Sequence, residues 1–330
     1  MASSSDAPLT TLHPDLFHAH VLSRLDGPSL ASASSASSLF RNLCLHDPLW
    51  RHICNSTWPS LSDPTLRPVI SNFPAGHRSL FLDSFPVLHH CSRPDHLDRS
   101  FAPAKEWISA VDIYYHDKPI FSRVHRTQTH TGWFECSPLW IDLLGPKESV
   151  PTPLKYARKD EDWMKHLEDT LSLSWILIDP ARNRAGNLSS RRPVSAQRHW
   201  LTGELELFYA AVIACDEGPS EWVQCNIKVA CTCSEEVGGA MRVREVSLTV
   251  EDTDGRSLNG KQSMVILQRA VERGRRKMVN EEEAKARFEE FSSIKRDRRD
   301  KRERSDQTLD MVLIFAVITI FAFLFWCFFS

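Results

Sequence analysis

Between residues 12 and 54, apolar positions recur at helical spacing in short bursts, each opened by its own turn or cap. Pro14 stands where a first helix begins, a place where its missing N–H has no partner to lose. Phe17, Val21 and Leu25 follow at i, i+4 and i+8, and Leu16 and Leu22 widen the stripe. Asp26-Gly27-Pro28 ends that helix and starts a second carrying Leu30, Ala33 and Ala36; Leu39, Phe40, Leu43 and Cys44 make a third. Asp47 reads as an N-cap before Pro48, and Trp50, Ile53 and Cys54 share one face of the last helix. So much apolar surface is more than so short a stretch can bury by itself. The surplus predicts a partner.

Residues 58–104 read as a helical and linker segment. Leu66, Val69 and Ile70 suggest one short helix and 78–85 another, with Pro59, Pro64, Pro68, Pro74 and Pro86 keeping each piece short. His89-His90-Cys91 and His96 are taken as linker rather than metal ligands, because no second cluster completes a set.

From Trp107 the period changes to two. Strand-like runs follow at 107–115, 132–136, 139–143, 171–178, 200–214, 221–233, 241–251 and 263–268, with turn signals at Asp254-Gly255 and Asn259-Gly260. This predicts an antiparallel, sandwich-like β-rich domain over 105–272, and an α+β chain overall. Seven tryptophans between Trp107 and Trp222 are read as filling its core. Cys225, Cys231 and Cys233 alternate with Ile227 and Val229, the pattern of a buried strand and not of a metal site. Arg182, Arg184, Arg191 and Arg192 are assigned to a solvated loop.

The last fifty residues change character again. Asn280 caps a helix whose first turn is Glu281-Glu282-Glu283, and Phe288, Phe291 and Ile294 give it a narrow apolar stripe. It reads as a charged, solvated stalk over 278–308. Residues 311–329 then contain no charge, and nineteen residues at helical rise span roughly 28 Å, close to the bilayer hydrocarbon thickness. The run 295–304 carries seven basic and three acidic residues, which sets the cytosolic side. The first ten residues have neither a basic nor an apolar signal region. A C-terminal tail anchor with cytosolic bulk is expected, in the endoplasmic reticulum or a membrane derived from it.

Composition narrows the chemistry. A formal charge of −2 gives no reason to expect nucleic acid, and nine cysteines without framework spacing fit reduced thiols. Phosphate-loop, dinucleotide, serine-elbow, His-Glu-x-x-His and paired Cys-x-x-Cys motifs are all absent from the sequence, so neither an enzyme nor a cofactor is expected.

The helical bursts resemble the F-box. The matching residues are Leu12-x-Pro14-Asp15-Leu16, Leu22-x-x-Leu25, Leu30 with Ala33, and Asp47-x-Leu49-Trp50, all within 12–57. The serine-rich stretch 29–38 and Phe40 depart from the usual pattern. The resemblance implies that Leu12, Pro14, Leu16, Leu22, Leu25, Leu30 and Trp50 dock a Skp-type adaptor and, through it, a cullin. Residues 1–11 would be a disordered lead-in, and the β-rich domain would select a protein substrate for ubiquitin transfer. The competing reading is a membrane-tethered binding module with no ligase role.

Overall fold

A computed structural model of the chain describes residues 20–91, 103–155, 161–215, 222–233 and 239–329. Leu12, Pro14, Leu16, Phe17 and His96 lie outside the described residues. Within them the chain has the expected α+β build: N-terminal helices, a central β-rich body and a long C-terminal helix.

After a single 3-10 turn at Leu22–Arg24 come α1 (Gly27–Ala36), α2 (Ser38–Leu43) and α3 (Asp47–Thr57). The Asp26 carboxylate accepts from Ser29 N at 2.9 Å and Ser37 Oγ from Phe40 N at 3.2 Å, so α1 and α2 each start on a side-chain cap. The two short helices expected in the following segment form, and they pack instead of merely linking. Two 3-10 turns, α4 (Arg67–Ser71) and α5 (Gly76–Ser84) fold back onto the first helices. Leu61, Leu66, Ile70, Phe73, Leu80 and Phe81 share one core with Leu22, Leu30, Trp50 and Ile53. The prolines shorten the pieces without unfolding them, because tertiary burial supplies what local helix length cannot.

Twelve strands then form one sheet among the described residues. They are β1 (Val87–Cys91), β2 (Glu106–Tyr115), β3 (Lys118–Gln128), β4 (Trp140–Asp142), β5 (Val150–Lys155) and β6 (Leu171–Asp179). The rest are β7 (Arg184–Asn187), β8 (Ser195–Arg198), β9 (Leu205–Cys215), β10 (Trp222–Cys233), β11 (Ala240–Asp252) and β12 (Arg275–Lys277). The main path runs β3-β2-β6-β7-β1-β9-β10-β11-β4. Pairing is antiparallel except where β1 meets β7 and β9. The sheet curls until its ends meet: Arg123 on β3 donates to Leu143 O just past β4 at 2.7 Å and to Glu148 at 2.9 Å. Its inner face holds Trp107, Val111, Leu173, Trp175, Leu207, Tyr209, Cys225, Ile227, Leu248 and Val250 in one core. A two-layered interior therefore comes from one rolled sheet, because strand twist accumulates over so many strands.

Two strand assignments fail, 132–136 and 263–268. Residues Gly132–Cys136 form a short helix, α6, whose Thr131 hydroxyl accepts from Phe134 N at 3.2 Å. A second helix, α7 (Glu161–Thr170), precedes β6. Residues 263–268 belong to α8 (Gly260–Arg273), and Asn259 is its N-cap in a capping box with Gln262 rather than a hairpin turn. Met264, Leu267, Ala270 and Val271 lie at helical spacing and pack into the rolled sheet's core. Trp200 sits in the β8–β9 loop, 86% exposed. Of the seven tryptophans, Trp107 and Trp175 fill the core, whereas Trp133 and Trp140 are exposed like Trp200.

The C-terminal helix α9 (Glu281–Phe329) is continuous. Its first part is docked, not a free stalk, and it crosses the outer face of β9–β11. Glu281 pairs with Arg192 at 3.0 Å, Arg287 lies over the Trp222 ring at 5.8 Å, and Phe291 is buried. Lys295 meets Glu251 at 2.6 Å, while Arg298 and Arg302 meet Asp254 at 3.5 and 2.5 Å. Residues 311–322 leave the body with their side chains exposed, and α9 is the one described helix long and apolar enough to cross a membrane.

Candidate functional site

The N-terminal helices are held by a small set of polar contacts around their apolar core. Trp50 is fully buried and its indole N–H donates to Cys44 O at 2.7 Å, fixing α3 to the end of α2. Asp47 does not cap its own helix; His46 occupies that place without a side-chain bond. The Asp47 carboxylate instead accepts from His77 N at 2.9 Å and faces the His77 ring Nδ1 at 3.0 Å, clasping α3 to α5. Burial would raise this carboxyl, but the His77 amide and ring outweigh it and hold it below the usual carboxylate value. Gly27 is required by close approach, since a Cβ there would lie 2.0 Å from the Phe81 ring.

This module is seated on the sheet by buried ionic and hydroxyl contacts. Ser60 donates through N and Oγ to Asp112 on β2 at 2.9 and 2.6 Å. Desolvation pushes the Asp112 carboxyl up, against the lowering by its bonds from Ser60 and Ser122. Tyr114 donates to Thr57 O. Asp83 at the end of α5 accepts from Arg184 at 2.8 and 3.0 Å and from Ala185 N at 3.2 Å, with Arg276 at 3.4 Å. Arg276 in turn donates to Ala185 O and Val271 O. One buried carboxylate thus joins α5, β7 and β12. The helical module and the β-body are joined here by buried hydrogen bonds and ion pairs.

Of the residues expected to dock an adaptor, Leu22, Leu30 and Trp50 are buried in the module's own core, and Leu25 is half-buried. Their spacing marks them because they build the scaffold, which does not make them the contact surface. The large apolar side chains left outward among the described residues of this module are Val21, Leu39 and Leu45, exposed by 44%, 39% and 49%, and Leu82 on α5, exposed by 45%. Sequence reading places Val21 and Leu39 in apolar stripes but does not single them out as outward-facing, because spacing in a short helix does not separate an exposed leucine from a buried one.

Elsewhere, Cys225 and Cys231 are buried on the inner face, and burial lifts the Cys225 thiol to about 12. Among the described residues no three metal-ligating side chains converge.

Residues 14–56 match the F-box-like family. The chain is 41% identical to F-box protein At2g27310 of Arabidopsis thaliana over 323 residues, covering 94% of each. It is 44% identical to F-box protein At3g44326 over 87% of this chain and 80% of that one. It is also 44% identical to Probable F-box protein At2g36090, covering 93% and 89%, both from the same plant. The chain belongs to the F-box protein family. No solved structure matches significantly. In this F-box protein the matched segment ends inside α3, yet the core it contributes to continues through α5. The F-box here is the first part of a larger helical layer.

Proposed function

We propose that this chain is the substrate-recognition subunit of a cullin-based ubiquitin ligase, held on a membrane by residues 311–329 with its bulk in the cytosol. F-box proteins as a family serve as substrate receptors of such ligases and leave catalysis to other subunits. The observation that carries the reading is the outward apolar set Val21, Leu39 and Leu45 on a module seated, through Asp112 and Asp83, on a separate β-body. Such a seat holds whatever the β-body captures near the adaptor, which raises the effective concentration of a target lysine. Leu12, Pro14 and Leu16 precede this surface in sequence and are proposed to complete it, with Leu25 beside them. Leu22, Leu30 and Trp50 support it from beneath.

The test is co-purification of a Skp-type adaptor and cullin with the full-length chain. Leu39→Ala with Leu45→Ala, and separately Leu12→Ala with Pro14→Ala, should each abolish capture, since hot-spot anchors are worth more than about 1 kcal/mol apiece. Wild-type capture by both double variants would sink the docking assignment and leave a membrane-tethered binding module. Deleting 311–330 should release the protein from membranes, and protease added to intact microsomes should digest the helical module. Protection of that module would overturn the cytosolic orientation.

A further inference from the structure

The docked part of α9 crosses the sheet in one direction and leaves it on one side. Glu281 meets Arg192 ahead of β8, and Arg287 lies over Trp222 at the start of β10. Lys295 then meets Glu251 on β11, and Arg302 meets Asp254 in the turn beyond it. The helix thus passes β9, β10 and β11 in that order, and the next strand in the sheet is β4. Trp140 on β4 already shares a groove with Phe288 and Lys295 of α9. The 254–260 connection, β4 and α6 therefore make up the side of the body from which the apolar run emerges. They are tied together: Leu139 N donates to Leu258 O at 2.8 Å and Gly260 N to Ser137 O at 3.0 Å.

With 311–329 in a bilayer, this side lies close to the lipid. Arg302 stands nine residues before Met311, so about 13 Å of helix separates its contact with Asp254 from the hydrocarbon. The headgroup layer fills about 5–7 Å of that, and the tilt of about 20° usual for a span narrows the rest. On this same side Trp133 of α6 is 83% exposed and Trp140 is 59% exposed. Arg256, two residues from Asp254, is exposed and has no ion pair among the described residues. An indole held in water gains by moving to a lipid–water boundary, where its ring leaves water and its N–H keeps a polar partner. A free guanidinium beside it suits lipid phosphate. Trp200 is exposed to a similar degree, but it sits in the β8–β9 loop, on the side where α9 begins.

We propose that Trp133 is a second, non-spanning membrane contact. Its ring enters the headgroup region of the bilayer that α9 crosses, with Arg256 against lipid phosphate, so the body leans on the membrane and does not swing on a tether. The inference rests on the reading of 311–329 as a span and adds the face that the body turns to the lipid.

The experiment uses the full-length chain in liposomes of phosphatidylcholine and phosphatidylserine whose acyl chains are brominated near the headgroup, since bromine quenches tryptophan emission at short range. Trp326, inside the apolar run, reports the span separately. Trp326→Phe and Trp133→Phe should each remove a comparable share of the quenched emission, and Trp200→Phe none. Trp133 is so exposed that its phenylalanine variant should keep the wild-type melting temperature, which serves as the fold control. Quenching that depends on Trp326 but is unchanged by Trp133→Phe would overturn this inference and leave the span standing, with the exposed tryptophan free for a soluble protein partner. Quenching unchanged by Trp326→Phe would overturn the span itself and the inference with it.

Discussion

Asp83 shows how much one side chain decides in this fold. It is buried, and the guanidinium groups of Arg184 and Arg276, together with Ala185 N, converge on its two oxygens. Removing one partner of such a knot leaves the others charged and unpaired, so Asp83→Ala should lower unfolding free energy by about 3–5 kcal/mol in chemical denaturation. Glu148 acts at the seam of the rolled sheet. Its hydrogen bonds from Arg123, then that from Gly145 N, hold it down at about 2 against an ordinary value of 4.5. A carboxyl with a lowered folded value stabilises the fold above its ordinary value, and that contribution disappears as pH falls through the folded one. Denaturation curves of wild type and Glu148→Gln should therefore differ at neutral pH and converge between pH 4.5 and about 2. A pH-independent difference would show that the seam is held by Leu143 O and packing instead.

At the scale of elements, the docked part of α9 poses a choice between its charges and its aromatic anchor. Lys295, Arg298 and Arg302 reach Glu251 and Asp254 from partly exposed positions, where an ion pair is worth about 0–1 kcal/mol. Phe291 is buried against the sheet, and truncating such a ring costs about 3–5 kcal/mol. Phe291→Ala should therefore expose residues 281–302 to hydrogen exchange, while Lys295→Gln changes it little. The reverse order would make the basic run the true fastener. Because α9 continues unbroken into 311–329, this docking also ties the body's orientation to that of the apolar segment.

Across the whole molecule the helical layer, rolled sheet and α9 share buried contacts. Trp50→Ala should thus lower the stability of the β-body as well as the helices, by about 3–5 kcal/mol in a single cooperative transition. Two separate transitions by tryptophan fluorescence and circular dichroism would show independent domains. The same integration bears on the two Asn-x-Ser/Thr sequons of the chain, at Asn55 and Asn187. Asn187, within an Asn-Leu-Ser sequon, is buried in β7 with its Oδ1 accepting from Trp175 N and Ser189 N. A glycan on it would be incompatible with the folded β7. Asn55, half-buried at the end of α3, is therefore the sequon whose glycan state reports orientation, beside protease accessibility.

The sequence by itself determined the features that depend on local periodicity. The helical bursts from residue 27 to 57 and the alternating β10 were legible because a helix or strand with one buried face writes its period into the chain, and the run 311–329 because nineteen uncharged residues need no period to be seen. Where short runs fit both periods, as at 132–136 and 263–268, only tertiary packing chose helix. Spacing also could not separate the leucines that build the core from those that face outward. Leu22 and Leu30 are buried while Leu39 and Leu45 are not, a difference set by where α5 comes to lie. The rolling of the sheet, the Asp83 knot and the docking of α9 join residues dozens to hundreds of positions apart. No local pattern records such pairings, because the free energy that selects them exists only once the partners are brought together.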